Sequence, residues 1–74
     1  MANANVWTVP HEDGWANKRE GAKRVSRRFK TKTEAEAAGR KTAMRERVEH
    51  VIQTRDGTVG ERNSYGNDSA RRKG

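Results

Sequence analysis

Apolar positions are sparse along this chain, and their spacing changes from strand-like to helical and back. Residues 6–9 are a short β-prone run, with Trp7 and Val9 on one face and Val6 and Thr8 on the other. Pro10 closes it, and His11-Glu12-Asp13-Gly14 predicts a polar turn. Residues 15–20 read as the returning strand of a hairpin, and Gly21-Ala22 breaks the pattern. Residues 24–29 alternate weakly, Val25 and Phe29 facing one way and Arg24, Ser26 and Arg28 the other. Arg27 falls on the apolar face of that segment, which marks it as an edge or irregular strand.

A helix follows. Thr31-Lys-Thr-Glu34 and Thr33-Glu-Ala-Glu36 are both capping-box patterns, and Ala-rich sequence extends from there to about residue 47. Its inward stripe is Ala35, Ala38, Gly39, Thr42 and Ala43. These side chains let a helix lie close on a sheet while burying little area. Gly39 costs about 1 kcal/mol against Ala unless such a close approach repays it. Residues 48–54 form the best strand by composition, and Arg55-Asp56-Gly57-Thr58 predicts a hairpin leading into the stub of a returning strand at Thr58-Val59. From Gly60 onward the chain is polar and rich in turn residues. The sequence therefore predicts an α+β domain: a small antiparallel sheet of three to five short strands, in the order ββ(β)αβ(β), with one helix packed on one face.

With 74 residues there is room for one domain, placed at residues 1–66, with residues 67–74 a polar basic tail expected to be disordered. Hydrophobic residues make up 30% of the chain, so the core is thin and a marginally stable monomer or a dimer is expected. No cysteine is present, which removes disulfide and thiolate chemistry. The first five residues carry neither a basic nor an apolar signal region, and no apolar run approaches the roughly 20 residues that span a bilayer. A cytoplasmic protein is expected, with no membrane partner.

The motifs taken together resemble the small, mostly bacterial family catalogued as domain of unknown function 2188. Val9-Pro10-His11, Gly14-Trp15-Ala16, Lys18 and Gly21 carry the resemblance in the first half of the chain. Thr31, Glu34-Ala35, Ala38, Arg40 and Ala43 carry it in the helix, followed by Val51-Ile52. Arg55-Asp56-Gly57 together with Ser64-Tyr65-Gly66-Asn67-Asp68 is its most specific part. Departures from the family pattern fall at Asn17, Glu36 and Thr42, where aliphatic residues are usual, and in the basic tail after Asp68. The resemblance implies the fold and the bacterial setting; it implies no activity.

Charge changes the picture most. The net charge is +7, and eight of the 15 residues from 18 to 32 are Lys or Arg against one acid, Glu20. A polyanion is the natural partner of such a surface. The expected phosphate contacts are Lys23, Arg24, Arg27, Arg28, Lys30 and Lys32, with Arg71, Arg72 and Lys73 as an auxiliary arm. Lys41, Arg45 and Arg47 would extend them. Contacts of this kind position nucleic-acid backbone without reading sequence, so weak specificity is expected. The competing readings are that the cations keep an edge strand soluble, or that the domain is a protein-interaction module that pairs with its own copy. The large aromatic residues are expected in the core, with Tyr65 pinning the end of the chain onto the sheet. His11 and His50 lie far apart with no nucleophile or paired carboxylate at a catalytic spacing. No enzymatic role, cofactor, metal or small-molecule substrate is expected.

Overall fold

The computed structural model describes residues 4–66. Arg71, Arg72 and Lys73, and the whole 67–74 tail, lie outside the described residues. Elements follow in the order β1 (Val6–His11), β2 (Gly14–Arg19), β3 (Arg27–Phe29), α1 (Lys32–Glu46), β4 (Glu49–Gln53) and β5 (Val59–Ser64). They make one five-stranded sheet in the spatial order β3-β2-β1-β4-β5, with α1 against one face. This is the α+β class with the expected element order.

One pairing departs from an all-antiparallel sheet: β4 lies parallel to β1, so the sheet is mixed. The cause is the route of the chain. It leaves the β3 edge, crosses the β1–β2 hairpin along α1, and returns on the far side of β1; such a crossover connects parallel strands. A second difference is the length of β5. It continues to Ser64 although nearly all its side chains are exposed, because its backbone ladder to β4 holds it and its side chains contribute little. A third concerns Val25. It does not share a face with Phe29, because the ladder of β3 begins only at Arg27 and the chain ahead of it bends where the Ser26 N–H donates to the Asn17 carbonyl (2.7 Å).

Thr31 caps α1: its hydroxyl accepts from the Glu34 N–H at 3.1 Å, while Arg47 closes the other end in a left-handed conformation. Ala35, Gly39 and Ala43 are the buried stripe. Beneath Gly39 lie three polar side chains that the fold removes from water, Thr8, Asn17 and His50. A Cβ at Gly39 would stand 2.6 Å from His50 Nε2 and 3.0 Å from Thr8 Oγ1, so only glycine lets the helix sit this low.

Proton counting fixes the roles in this cluster. Asn17 Nδ2 donates to the Ala35 carbonyl (3.0 Å), which leaves its Oδ1 to accept from the Thr8 hydroxyl (2.6 Å). Thr8 has no second hydrogen, so at 2.7 Å it must accept from His50 Nε2–H. His50 therefore carries a hydrogen on Nε2, and burial favours the neutral ring over the imidazolium. Its Nδ1 is buried without a partner among the described residues. Burial pushes the imidazole pKa down from the usual value of 6.5.

The apolar core is small. Val6, Ala43 and Val48 cluster, and Tyr65, just past β5, packs against them; the tail it was expected to pin lies outside the described residues. At the opposite end Trp15 is 7% exposed, its ring covered by Lys32 (5.2 Å) and Arg55 (5.5 Å). The β4–β5 hairpin turns at Asp56 and Gly57 (φ 92°). There the Asp56 carboxylate accepts from the Thr58 N–H (3.2 Å) and from the hydroxyls of Thr54 and Thr58, which hold it below the usual carboxylate range.

Candidate nucleic-acid interface on the bare face of the sheet

The β1–β2 hairpin closes at His11↔Gly14, and this register pairs Trp7 with Lys18 and Thr8 with Asn17. Strand alternation then sends Thr8 and Asn17 under the helix and Trp7, Val9 and Lys18 to the side the helix leaves bare. In β3 the same rule separates neighbours: Arg28, opposite Ala16, faces the bare side, while Arg27 and Phe29 face the helix side. Residues 20–26, between β2 and β3, bring Lys23, Arg24 and Val25 beside Trp7. The result is an open groove of about 930 Å³ whose cations are Lys18, Lys23, Arg24 and Arg28.

Electrostatics make this groove strongly positive. Among the described residues Lys18, Lys23 and Arg24 form no ion pair; Arg28 reaches only Glu12, at 4.0 Å between exposed side chains. Such a pair is worth little in water. The one carboxylate in the groove, Glu20, is occupied by neutral donors: Trp7 Nε1–H at 3.0 Å and Asn5 Nδ2–H at 3.2 Å. The indole bond above all holds Glu20 below the usual carboxylate range. Farther along the same face, Arg62 of β5 pairs with Glu49 of β4 at 3.2 Å, so the charge there is balanced. The positive excess is confined to the β1–β2–β3 side.

Of the six expected contacts in the described chain, three share this groove: Lys23, Arg24 and Arg28. Arg27 lies across the sheet with its guanidinium 5.3 Å over the Phe29 ring. Lys32 covers Trp15 and pairs with Glu36 at 3.7 Å. Lys30 sits by the acidic turn of Glu12 and Asp13. Lys41 and Arg45 are exposed on α1, and Arg47 caps it, on the other side of the sheet.

Two groove residues stand apart from the six contacts expected by number. Lys18 belonged to the basic run but was not singled out, and Trp7 was expected in the core. Trp7 is instead half-buried on the bare face, because the alternation that buries Val6 and Thr8 turns it outward. Counting back from the His11–Gly14 turn pairs Trp7 with Lys18 and was the available signal. No group of three His, Asp or Glu side chains converges to hold a metal among the described residues. Nor is any helix there long and apolar enough to cross a membrane.

Comparison with curated proteins and with solved structures finds no match. A family model described as "Uncharacterized protein conserved in bacteria (DUF2188)" matches residues 6–65, and the chain belongs to that family.

Proposed function

We propose that the protein is a non-enzymatic, cytoplasmic binder of nucleic-acid backbone that uses the bare face of its sheet. The observation that carries this reading is the gathering of Lys18, Lys23, Arg24 and Arg28 on one open groove whose carboxylate is already held by Trp7 and Asn5. Cations free of protein partners are those that release counterions from phosphates on binding. Trp7 is the only large aromatic residue lining the groove, so stacking on bases is a minor part of the contact and sequence discrimination is weak.

The self-pairing alternative would use the outer edge of β5, which ends the sheet. A two-fold antiparallel pairing centred on that strand sets either Glu61 against Glu61 or Arg62 against Arg62. Like charges directly opposite each other disfavour it.

Fluorescence anisotropy with a labelled mixed-sequence duplex, titrated across salt, tests the proposal. Four phosphate contacts give a slope of about −3.6 in log K against log salt. Absence of binding at about 50 mM salt, where such contacts are strongest, would remove the reading and leave the cations as a solubility device.

A further inference from the structure

Across the sheet from the groove, a second and smaller hollow lies between α1 and the β2–β3 edge. It holds about 250 Å³, roughly eight waters' worth of space. Among the described residues Lys18, Arg19, Arg27 and Arg45 line it with the hydroxyl-bearing residues Ser26 and Thr42, and no carboxylate does. Each arginine is held in a different way. Arg19 is clamped by Glu46, Nη1 to Oε1 at 2.7 Å and Nη2 to Oε2 at 2.8 Å. Arg27 lies over the Phe29 ring, and Arg45 approaches Glu46 at 3.6 Å.

Glu46 stays ionised, since the hydrogen bond from Arg19, reinforced by its charge, holds its pKa down. Alternation turns the Lys18 side chain to the bare face, so three guanidinium charges less one carboxylate leave a local charge of +2. That matches a phosphomonoester dianion, which is doubly charged above a second pKa of about 6. A phosphodiester in a nucleic-acid chain carries a single charge and matches it less well.

We propose that this hollow binds a terminal phosphoryl group, with Arg27 and Arg45 supplying forked N–H donors and Ser26 and Thr42 supplying hydroxyls. Arg19, already engaged by Glu46, contributes field more than donors. The ligand class is a phosphomonoester, carried either on the 5′ end of a nucleic-acid strand or on a small phosphorylated molecule. Lys18 lines both hollows, but alternation along β2 gives its side chain to the bare face, so the two sites share no guanidinium and this one does not depend on that reading.

The test is an NMR amide titration of the full chain with inorganic phosphate at about pH 7.5, where the dianion dominates. The expected result is saturable shifts concentrated at Ser26, Arg27, Thr42 and Arg45, lost in an Arg27→Gln/Arg45→Gln variant. If that variant melts early, Arg27→Gln alone is read the same way. Shifts spread evenly over the exposed Lys and Arg residues, or phosphate affinity unchanged in the variants, would overturn the proposal. Paired oligonucleotides then distinguish the source. A 5′-phosphorylated strand bound about tenfold tighter than its 5′-hydroxyl twin, with the advantage lost in the double variant, identifies a strand end. Equal affinity for the two strands, with phosphate saturation intact, identifies a small phosphorylated ligand.

Discussion

On the covered face of the sheet, Thr8, Asn17 and His50 are buried and hydrogen-bonded to one another; on the bare face, Lys18, Lys23, Arg24 and Arg28 are left to solvent. Asn17 and Lys18 are neighbours on β2 and reach opposite faces by alternation alone, while Thr8 and His50 come from β1 and β4, Arg28 from β3, and Lys23 and Arg24 from the segment between β2 and β3. The covered set is constrained: each donor has an acceptor, and Gly39 supplies the clearance that makes the bonds possible. The bare set has no such internal logic, and its side chains contribute little to holding the fold. Polar residues that satisfy one another stabilise; polar residues kept free are available to a ligand.

Substitutions should therefore separate stability from binding according to face. The largest loss is expected for Asn17→Ala, about 3 kcal/mol in denaturant unfolding, because it orphans the Thr8 hydroxyl and the Ala35 carbonyl and opens a cavity. Gly39→Ala should cost about 2 kcal/mol by the same measurement. A gain of about 1 kcal/mol is what helix propensity alone would give at an open helical site; observing that gain would mean the helix does not sit on the polar cluster. Smaller still is the effect of mild acid. The folded chain keeps His50 neutral while the unfolded chain takes up a proton, so its contribution is full above about pH 6.5 and is lost as pH falls from there toward the lowered folded value. Glu20, Glu46 and Asp56 act in a separate window, since their lowered pKa values cost stability only below the ordinary values of 4.5 for the glutamates and 3.8 for the aspartate. A His50→Gln variant should flatten the upper window in thermal melts taken across pH. Least affected is the bare face: Lys23→Gln with Arg24→Gln should leave stability within about 0.5 kcal/mol of the parent.

The sequence made the helix legible because its signals are local: a Thr cap, an acidic first turn and small residues at helical spacing. The Asp56-Gly57 hairpin was legible for the same reason. The parallel pairing of β1 with β4 was not, since it depends on where a crossing helix returns the chain. Asn17 reads in sequence as a departure from an aliphatic position. Only in three dimensions does it bond Thr8 and the Ala35 carbonyl, with Thr8 in turn bonded to His50, 42 residues farther along the chain. The basic run showed its charge plainly, yet half of its six singled-out cations in the described chain lie off the groove. Alternation sends Arg27 behind the sheet, and aromatic rings or acidic turns engage Lys32 and Lys30.

The asymmetry between the faces is tested most directly by removing equal charge from each and measuring duplex affinity across salt. One variant carries Arg24→Gln and Arg28→Gln in the groove; the other carries Arg40→Gln and Lys41→Gln on the exposed side of α1. The bare-face reading predicts that the groove variant reduces the magnitude of the salt slope by about 1.8, two contacts at about 0.9 each, while the helix variant leaves it nearly unchanged. Equal losses in both would show attraction to net charge alone and would contradict a defined interface on the bare face.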